Sequence, residues 1–353
     1  MSPVMRSYMR SHLRANLKTL LYLLGFAIAI TFIMSVPGQC TETWYYDEFD
    51  NRVSRYYFDC MLGLPVTILS VSAFALPLLE FSFFKKRRNL DCAYALPISR
   101  REMGLVHFLT GLALLVIPFT CSYFINYVLL LRYPSDFEVS PLLAHYFLTL
   151  CFGVCIYAIN TFIFNEANSV IDGVCFVILW TFVFVLVSLS ISRVLYDLMG
   201  WERYSELELN FLDSEMIIPI GPLGAVTAEY AYVVEEARWA DLQGFWADSG
   251  NLFWTAALVI LGIGATVGFV FTFGRRAAQK TEEISDSWFG YRVMIPIYAV
   301  CGMLLFDEPG MWLIIEGIAF VGYVIYRKGF HLKKSDWMVL ALLVFFLLIG
   351  GVI

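Results

Sequence analysis

Long apolar runs alternate with short polar stretches along the whole chain. They occupy residues 19–36, 62–84, 103–131, 142–164, 169–192, 251–273, 293–306, 310–326 and 337–353. Most approach or exceed the ~20 residues that a helix needs to cross a bilayer. The seventh is short for a full crossing. Within each run the apolar residues are continuous rather than alternating, which selects helices over the strands of a closed barrel, the only other structure that satisfies its own backbone in lipid. The expected fold class is an all-α polytopic membrane protein.

Composition agrees. Only 15% of the 353 residues are charged, 59% are hydrophobic, and the mean hydropathy is +0.71. A soluble domain carries about a quarter of its residues as charges. The N-terminus reads as a retained anchor, because its basic region is long, no small-residue cleavage site follows, and Val36-Pro37 ends a full-length span.

Charge sets the orientation. Arg6, Arg10, Arg14 and Lys18 precede the first span, and Lys85 to Arg88 with Arg100 and Arg101 follow the second. Arg275, Arg276, Lys280 and Arg292 follow the sixth, and Arg327, Lys328, Lys333 and Lys334 follow the eighth. Eighteen of the 24 basic residues thus fall on one side, which the positive-inside rule makes cytoplasmic. Nine spans then place the N-terminus inside and the C-terminus outside. Met5, Met9, Leu13 and Leu17 recur every four residues beside the first basic group. Residues 1–18 read as an amphipathic helix in the inner interface rather than only a basic flank.

Two outer loops are large. Residues 37–61 are aromatic and acidic, and residues 197–250 carry eleven acids against Arg203 and Arg238. The segment around Tyr230 and Tyr232 reads as a small helical cap. Such a face concentrates cations or cationic peptides, or simply mirrors the exclusion of Lys and Arg from the outside. Cys40 and Cys60 bracket the first of these loops on the oxidising side, where a disulfide and two free thiols are both open. No Cys pair has zinc-finger spacing and no His-Glu-x-x-His occurs, so no metal site is expected. The four His are dispersed, with His107 and His145 able to meet in a bundle.

The loop at 85–102 is the most informative. Leu90, Ala93 and Tyr94 share one helical face. Pro97 stops that helix. Ser99 and Glu102 then form a capping box, with Ile98 and Met103 placed as its staple. The product is a short helix, a sharp turn and a firmly started third span. Physics alone serves a docking knob and a self-packed loop equally.

The run Leu90-Asp91 through Tyr94-Ala95-Leu96-Pro97-Ile98-Ser99-Arg100-Arg101-Glu102 resembles the loop after the second span in bacterial type-2 ABC exporter permeases, most of all a multi-span branch common in Gram-positive bacteria. The resemblance covers residues 1–274. It implies residues 1–18 as an interfacial helix, residues 19–274 as a six-span permease core, and residues 275–353 as about three extra spans. The segment Arg275-Arg276-Ala277-Ala278-Gln279-Lys280-Thr281 departs from the branch's Arg-x-x-Glu-x-x-Gly-like pattern, so no role is carried over there.

By that resemblance the loop is a coupling helix. Leu90, Asp91, Ala93, Tyr94, Leu96, Pro97, Arg100, Arg101 and Glu102 would meet a separate ATP-binding subunit. That subunit, present in two copies, would hold ATP and Mg, and the chain itself would be no enzyme; it has no Gly-x-x-x-x-Gly-Lys-Ser/Thr run. A second permease copy or a paralogous permease, with membrane lipid, completes the expected partners, and nucleic acid is not among them. Spans two and five would line the pathway, which nominates Phe74, Leu78, Phe81, Phe176, Trp180 and Phe184. The expected location is the bacterial cell membrane and the expected cargo an amphipathic drug, antimicrobial peptide or lipid. Two alternatives stay open. An ion-coupled carrier would use an intramembrane carboxylate, with Glu316 the sharpest case beside Glu80 and Asp172. An antibiotic-sensing subunit is the other. An intramembrane protease fails, because Glu235-Glu236 and Glu282-Glu283 lie in loops and lack the following Arg.

Overall fold

The computed structural model describes residues 3–34, 41–46, 52–57, 62–89, 95–130, 139–206, 221–236, 245–247, 249–274, 281–306 and 308–350. Its helices are α1 (Pro3–Ala15), α2 (Leu17–Met34), α3 (Gly63–Phe81), α4 (Arg100–Leu130), α5 (Val139–Glu166), α6 (Val170–Glu206), α7 (Gly221–Glu236), α8 (Ser249–Phe273), α9 (Tyr291–Leu305), α10 (Pro309–Arg327) and α11 (Lys334–Gly350). Six of them contain a segment long and apolar enough to cross a membrane, or seven if α1 and α2 count as one bent span. The molecule is a polytopic helical membrane protein. Helix α9 has 15 residues and α11 has 17. At 1.5 Å per residue they reach about 22 and about 26 Å, short of the ~30 Å hydrocarbon layer.

One departure from all-α is local. Thr41–Tyr46 (β1) and Arg52–Tyr57 (β2) pair antiparallel, Thr41 opposite Tyr57 and Tyr46 opposite Arg52. The first polar loop therefore holds a hairpin. Its Thr, Trp and Tyr content is what a pleated surface favours. The expected cap in the second loop is α7, which packs on α3 and α5 and buries Leu223, Val226 and Tyr230.

Helix α5 is the hub, in contact with α3, α4, α6, α7 and α8. Small residues let the backbones approach. A Cβ on Gly153 would lie 2.6 Å from the Leu69 side chain, and one on Gly262 of α8 would lie 2.9 Å from Cys155 Cα. Close approach of this kind, with hydrogen bonds between helices, holds helices together where lipid is as apolar as the core. Asn160 Nδ2 donates to Ala73 O at 3.2 Å and the Tyr157 hydroxyl to Phe108 O at 3.1 Å. Around these bonds sits a core of Leu69, Phe119, Phe152, Phe164, Phe176 and Phe269. Helices α9, α10 and α11 form a second cluster around Ala299, Ala319, Tyr323 and Leu343, joined to the main bundle where α9 lies on α6.

Helices α1 and α2 meet at a 49° bend. Helix α1 lies against α4 with Arg6, Arg10 and Arg14 exposed. The Met5, Met9, Leu13, Leu17 stripe expected to lie in the interface is mostly turned away from the bundle. Met5 is buried, but Leu13 and Leu17 are exposed, and the side chains that reach inward are Tyr8 and His12. Tyr8 and His12 find their polar partners on α3 and α4.

Candidate functional site

One end of the bundle gathers most of the basic loops. After α3 a 3₁₀ turn, Ser82–Lys85, bends the chain. Lys85 does not reach outward to headgroups. It is buried, and its ammonium donates to Asn165 O at 3.1 Å and to Ala167 O. Those carbonyls end α5, where a cation both caps and complements the helix dipole. Lys86, Arg87 and Arg88 stay exposed. Arg87 Nε donates to Thr281 O at 2.9 Å, its backbone N–H donates to Glu282 Oε1 at 3.2 Å, and its guanidinium lies 3.7 Å from Glu283. The Glu282-Glu283 pair thus anchors the start of the loop.

The far end of that loop is held by the capping box. Glu102 N–H donates to Ser99 Oγ at 3.3 Å, while the Ser99 N–H and hydroxyl reach back to Glu102 Oε2 at 3.3 and 2.9 Å. Met103 is buried and Ile98 packs against the same core. Between the two anchors Ala95, Leu96 and Pro97 are exposed, as are Arg100 and Arg101. Leu90, Asp91, Ala93 and Tyr94 lie outside the described residues, as do Cys40 and Cys60.

Among the apolar cavities between the described helices, two involve the expected pathway residues. The larger, about 460 Å³, is lined by Phe162, Trp180, Phe184, Trp254, Leu261 and Phe289 among others. It lies between α5, α6 and α8, and Trp180 is held there by Nε1–H donating to Phe289 O at 2.9 Å. The smaller, about 430 Å³, is a groove between α3 and α6 lined by Phe74, Leu78, Val174 and Ile178. Spans two and five therefore share a groove. Phe81 and Phe176 sit in the core instead, each about 1% exposed or less. Phe81 packs on Phe269 and Phe273, and Phe176 on Tyr291. Glu316 is half-exposed at the middle of α10 and lines neither cavity. Asp172 accepts from the Ser285 N–H and the Tyr291 hydroxyl, both at 3.0 Å, and so ties the start of α6 to the connection before α9.

His107 does not meet His145. His145 is buried against Tyr123, Tyr230 and Thr227. His107 of α4 instead faces Glu80 of α3 and His12 of α1. His12 Nε2 lies 3.0 Å from Glu80 Oε2, and His107 Nδ1 lies 3.3 Å from the same oxygen. The other nitrogen of His107 meets the Tyr8 hydroxyl at 3.1 Å. The three donor atoms lie within 4.8 Å of one another. No local motif announces this group, because His12 and Glu80 are 68 residues apart. The signal available in the sequence was weaker: a carboxylate on an otherwise apolar span and a His on the next span each need a polar partner.

Outside the spans, the connection between α10 and α11 is also held by charge. Arg327 Nε and Nη2 donate to Asp336 at 2.7 and 3.0 Å. Burial alone would raise the Asp336 carboxyl, but the bonds from Arg327 and the Lys333 backbone hold it below the ordinary carboxylate range. The Tyr326 hydroxyl does the same for Asp286. Compared with known proteins, the chain matches no family model, no curated protein and no solved structure.

Proposed function

We propose that the chain is the membrane-spanning permease subunit of an ATP-driven ABC transporter, energised by a separate ATP-binding subunit that docks at the loop between α3 and α4. The observation that carries this reading is the exposed Ala95-Leu96-Pro97 step, gripped on one side by the Arg87 contacts with residues 281–283 and on the other by the Ser99–Glu102 box. A loop built only to connect two spans needs no such anchorage at both ends. A loop that carries force needs it, because a hinge at either end would absorb the partner's motion before it reached α3 or α4. The apolar step within a basic surround suits a partner with an apolar cleft and acidic rim.

In this reading ATP and Mg belong to the partner. Two copies of the chain, or this chain and a paralogue, work together, and the basic end faces the cytoplasm by the positive-inside rule. Closure of the partner subunits pulls the two loops and shifts α3 and α4 as rigid levers. The groove between α3 and α6 and the cavity beside Trp180 and Phe184 suit an amphipathic drug, peptide or lipid cargo, because their walls are almost wholly apolar. Export is the direction expected from the resemblance. Glu316 lines neither cavity, which favours this reading over an ion-coupled carrier.

The test is co-purification from gently solubilised native membranes, comparing wild type with Tyr94→Asp. The reading expects an ATP-binding protein with a P-loop to accompany wild type and to be lost with Tyr94→Asp, while the folded permease is recovered equally. Wild type purified with no such subunit would sink it.

A further inference from the structure

We propose that His12, Glu80 and His107 form a binding site for a divalent transition-metal ion of the zinc class, which clasps α1 to α3 and α4. The proposal rests on this cluster's geometry and is independent of the transport reading.

The donor set is that of a zinc ligand group: two imidazoles and one carboxylate, with a fourth position free for water. With metal–ligand bonds of about 2.0–2.1 Å, the donors of a tetrahedral site stand about 3.3 Å apart. Glu80 Oε2 stands 3.0 Å from His12 Nε2 and 3.3 Å from His107 Nδ1, so two of the three edges already have this length. The third, between the two nitrogens, closes within 4.8 Å. A shift of the His12 side chain, which is 17% exposed against 5% for Glu80, completes the triangle.

The hydrogen bonds alone leave the group unsatisfied. His107 is 5% exposed, and its Nδ1 is close to Glu80 yet lacks the alignment of a hydrogen bond to any partner among the described residues. A buried polar atom without an aligned partner asks for a reason. On the other side, His12 Nε2 has one partner too many. It faces Glu80 at 3.0 Å and the Asn16 amide nitrogen at 3.1 Å, and one ring nitrogen offers either a single N–H or a single lone pair. A cation at the centre of the triangle answers the first and replaces the His12–Glu80 contact of the second, with the Asn16 amide turning to another acceptor. The cation takes the lone pair of His107 Nδ1 and the lone pair of His12 Nε2, and it neutralises the Glu80 carboxylate between them.

The surroundings fit the same assignment. A ligating His usually donates its other ring N–H to an outer partner, which fixes the tautomer. With Nδ1 on the metal, His107 Nε2–H donates to the Tyr8 hydroxyl oxygen at 3.1 Å. The Phe84 ring, 4.7 Å from His107, and the Phe81 ring, 6.1 Å away, provide an apolar wall on the bundle side. The partly exposed His12 edge leaves an entry from the basic end. Two ligands sit on the membrane-spanning helices α3 and α4 and one on the peripheral helix α1, so metal occupancy reports directly on whether α1 is docked.

The experiment uses the full chain in lipid nanodiscs, with its thiols kept reduced. The protein is stripped with a chelator, reloaded with Zn²⁺, passed through gel filtration and analysed for metal per chain. Co²⁺ loading then reads the coordination number from its visible absorption. Wild type should retain one Zn²⁺ and give the intense absorption of four-coordinate Co²⁺. His12→Ala and Glu80→Gln should each lose retained metal. Tyr8→Phe should keep the stoichiometry but bind about ten- to a hundredfold more weakly, as loss of an outer partner does. His12→Ala removes a partly exposed side chain on a peripheral helix, so it decides the matter alone if Glu80→Gln does not fold. Failure of wild type to retain Zn²⁺, or equal retention by wild type and His12→Ala, overturns the proposal and leaves a hydrogen-bonded contact only.

Discussion

Helices α5 and α10 are both apolar enough to cross a membrane, yet they live differently. In α5 61% of the spanning window is buried inside the molecule, and in α10 only 17%. The difference lies in polar residues and in one closely approached glycine, since α10 has more glycines than α5 but none that a neighbour approaches as closely. Helix α5 offers Gly153, Asn160, Thr161 and Asn165, all buried against neighbours. Helix α10 shows Leu313, Ile314, Ile318, Val321 and Ile325 at its surface, where acyl chains solvate them. Large aliphatic side chains gain nothing by leaving lipid for protein, whereas close backbone contact and hydrogen bonds do. The C-terminal trio α9–α11 is held by its own small apolar cluster and by charge at one end.

Arg327→Ala leaves the Asp336 carboxylate, 2% exposed, without its main partner. Uncompensated buried charges of this kind cost about 3–5 kcal/mol, and the low end is expected because Lys333 N–H and Ser335 still bond Asp336. Hydrogen exchange should show α10 and α11 opening while α5 stays protected. Uniform loosening of both regions would contradict two separately held clusters.

Gly262→Val should act on the hub instead. Its Cβ would meet Cys155 Cα at 2.9 Å, a backbone contact that cannot rotate away. A loss of about 1–3 kcal/mol is expected, read as a lower midpoint of thermal unfolding with α8 separating from α5. Acid should act on the α10–α11 connection before it reaches the hub. The Asp336 carboxyl is held below its ordinary range in the folded protein, so its contribution is complete above its unfolded value of about 3.9. It is lost as pH falls through the lower folded value. The α10–α11 connection should loosen in that window before α5 does. Gly264→Ala is the smallest change. A Cβ there meets nothing within 4 Å, so it should leave stability unchanged or raise it by up to about 1 kcal/mol. A loss as large as that of Gly262→Val would contradict the packing described.

The parts of this architecture that were legible in the sequence are the local ones. Continuous apolar runs mark the spans, and Ser99 with Glu102 mark the start of α4 because a capping box repeats at a three-residue spacing. The helical segment around Tyr230 was readable for the same reason. The His12–Glu80–His107 group was not, since three elements must fold together before its atoms meet. The facing of α1 followed from that group and so was equally hidden. The strand pair β1 and β2 was hidden by the acidic, aromatic composition of the loop, although its Thr, Trp and Tyr residues carried a strand signal. Lys85 was readable as a basic flank, but its inward turn depends on carbonyls at the end of α5.

We propose that an ATP-binding partner attaches at the loop between α3 and α4. The most direct measurement places a photo-crosslinking residue at Leu96, and separately at exposed Gly317 on α10, in native membranes. The Leu96 position should capture a polypeptide containing a P-loop sequence and the Gly317 position should not. Capture of lipid alone at Leu96, or the same P-loop protein at both positions, would contradict it.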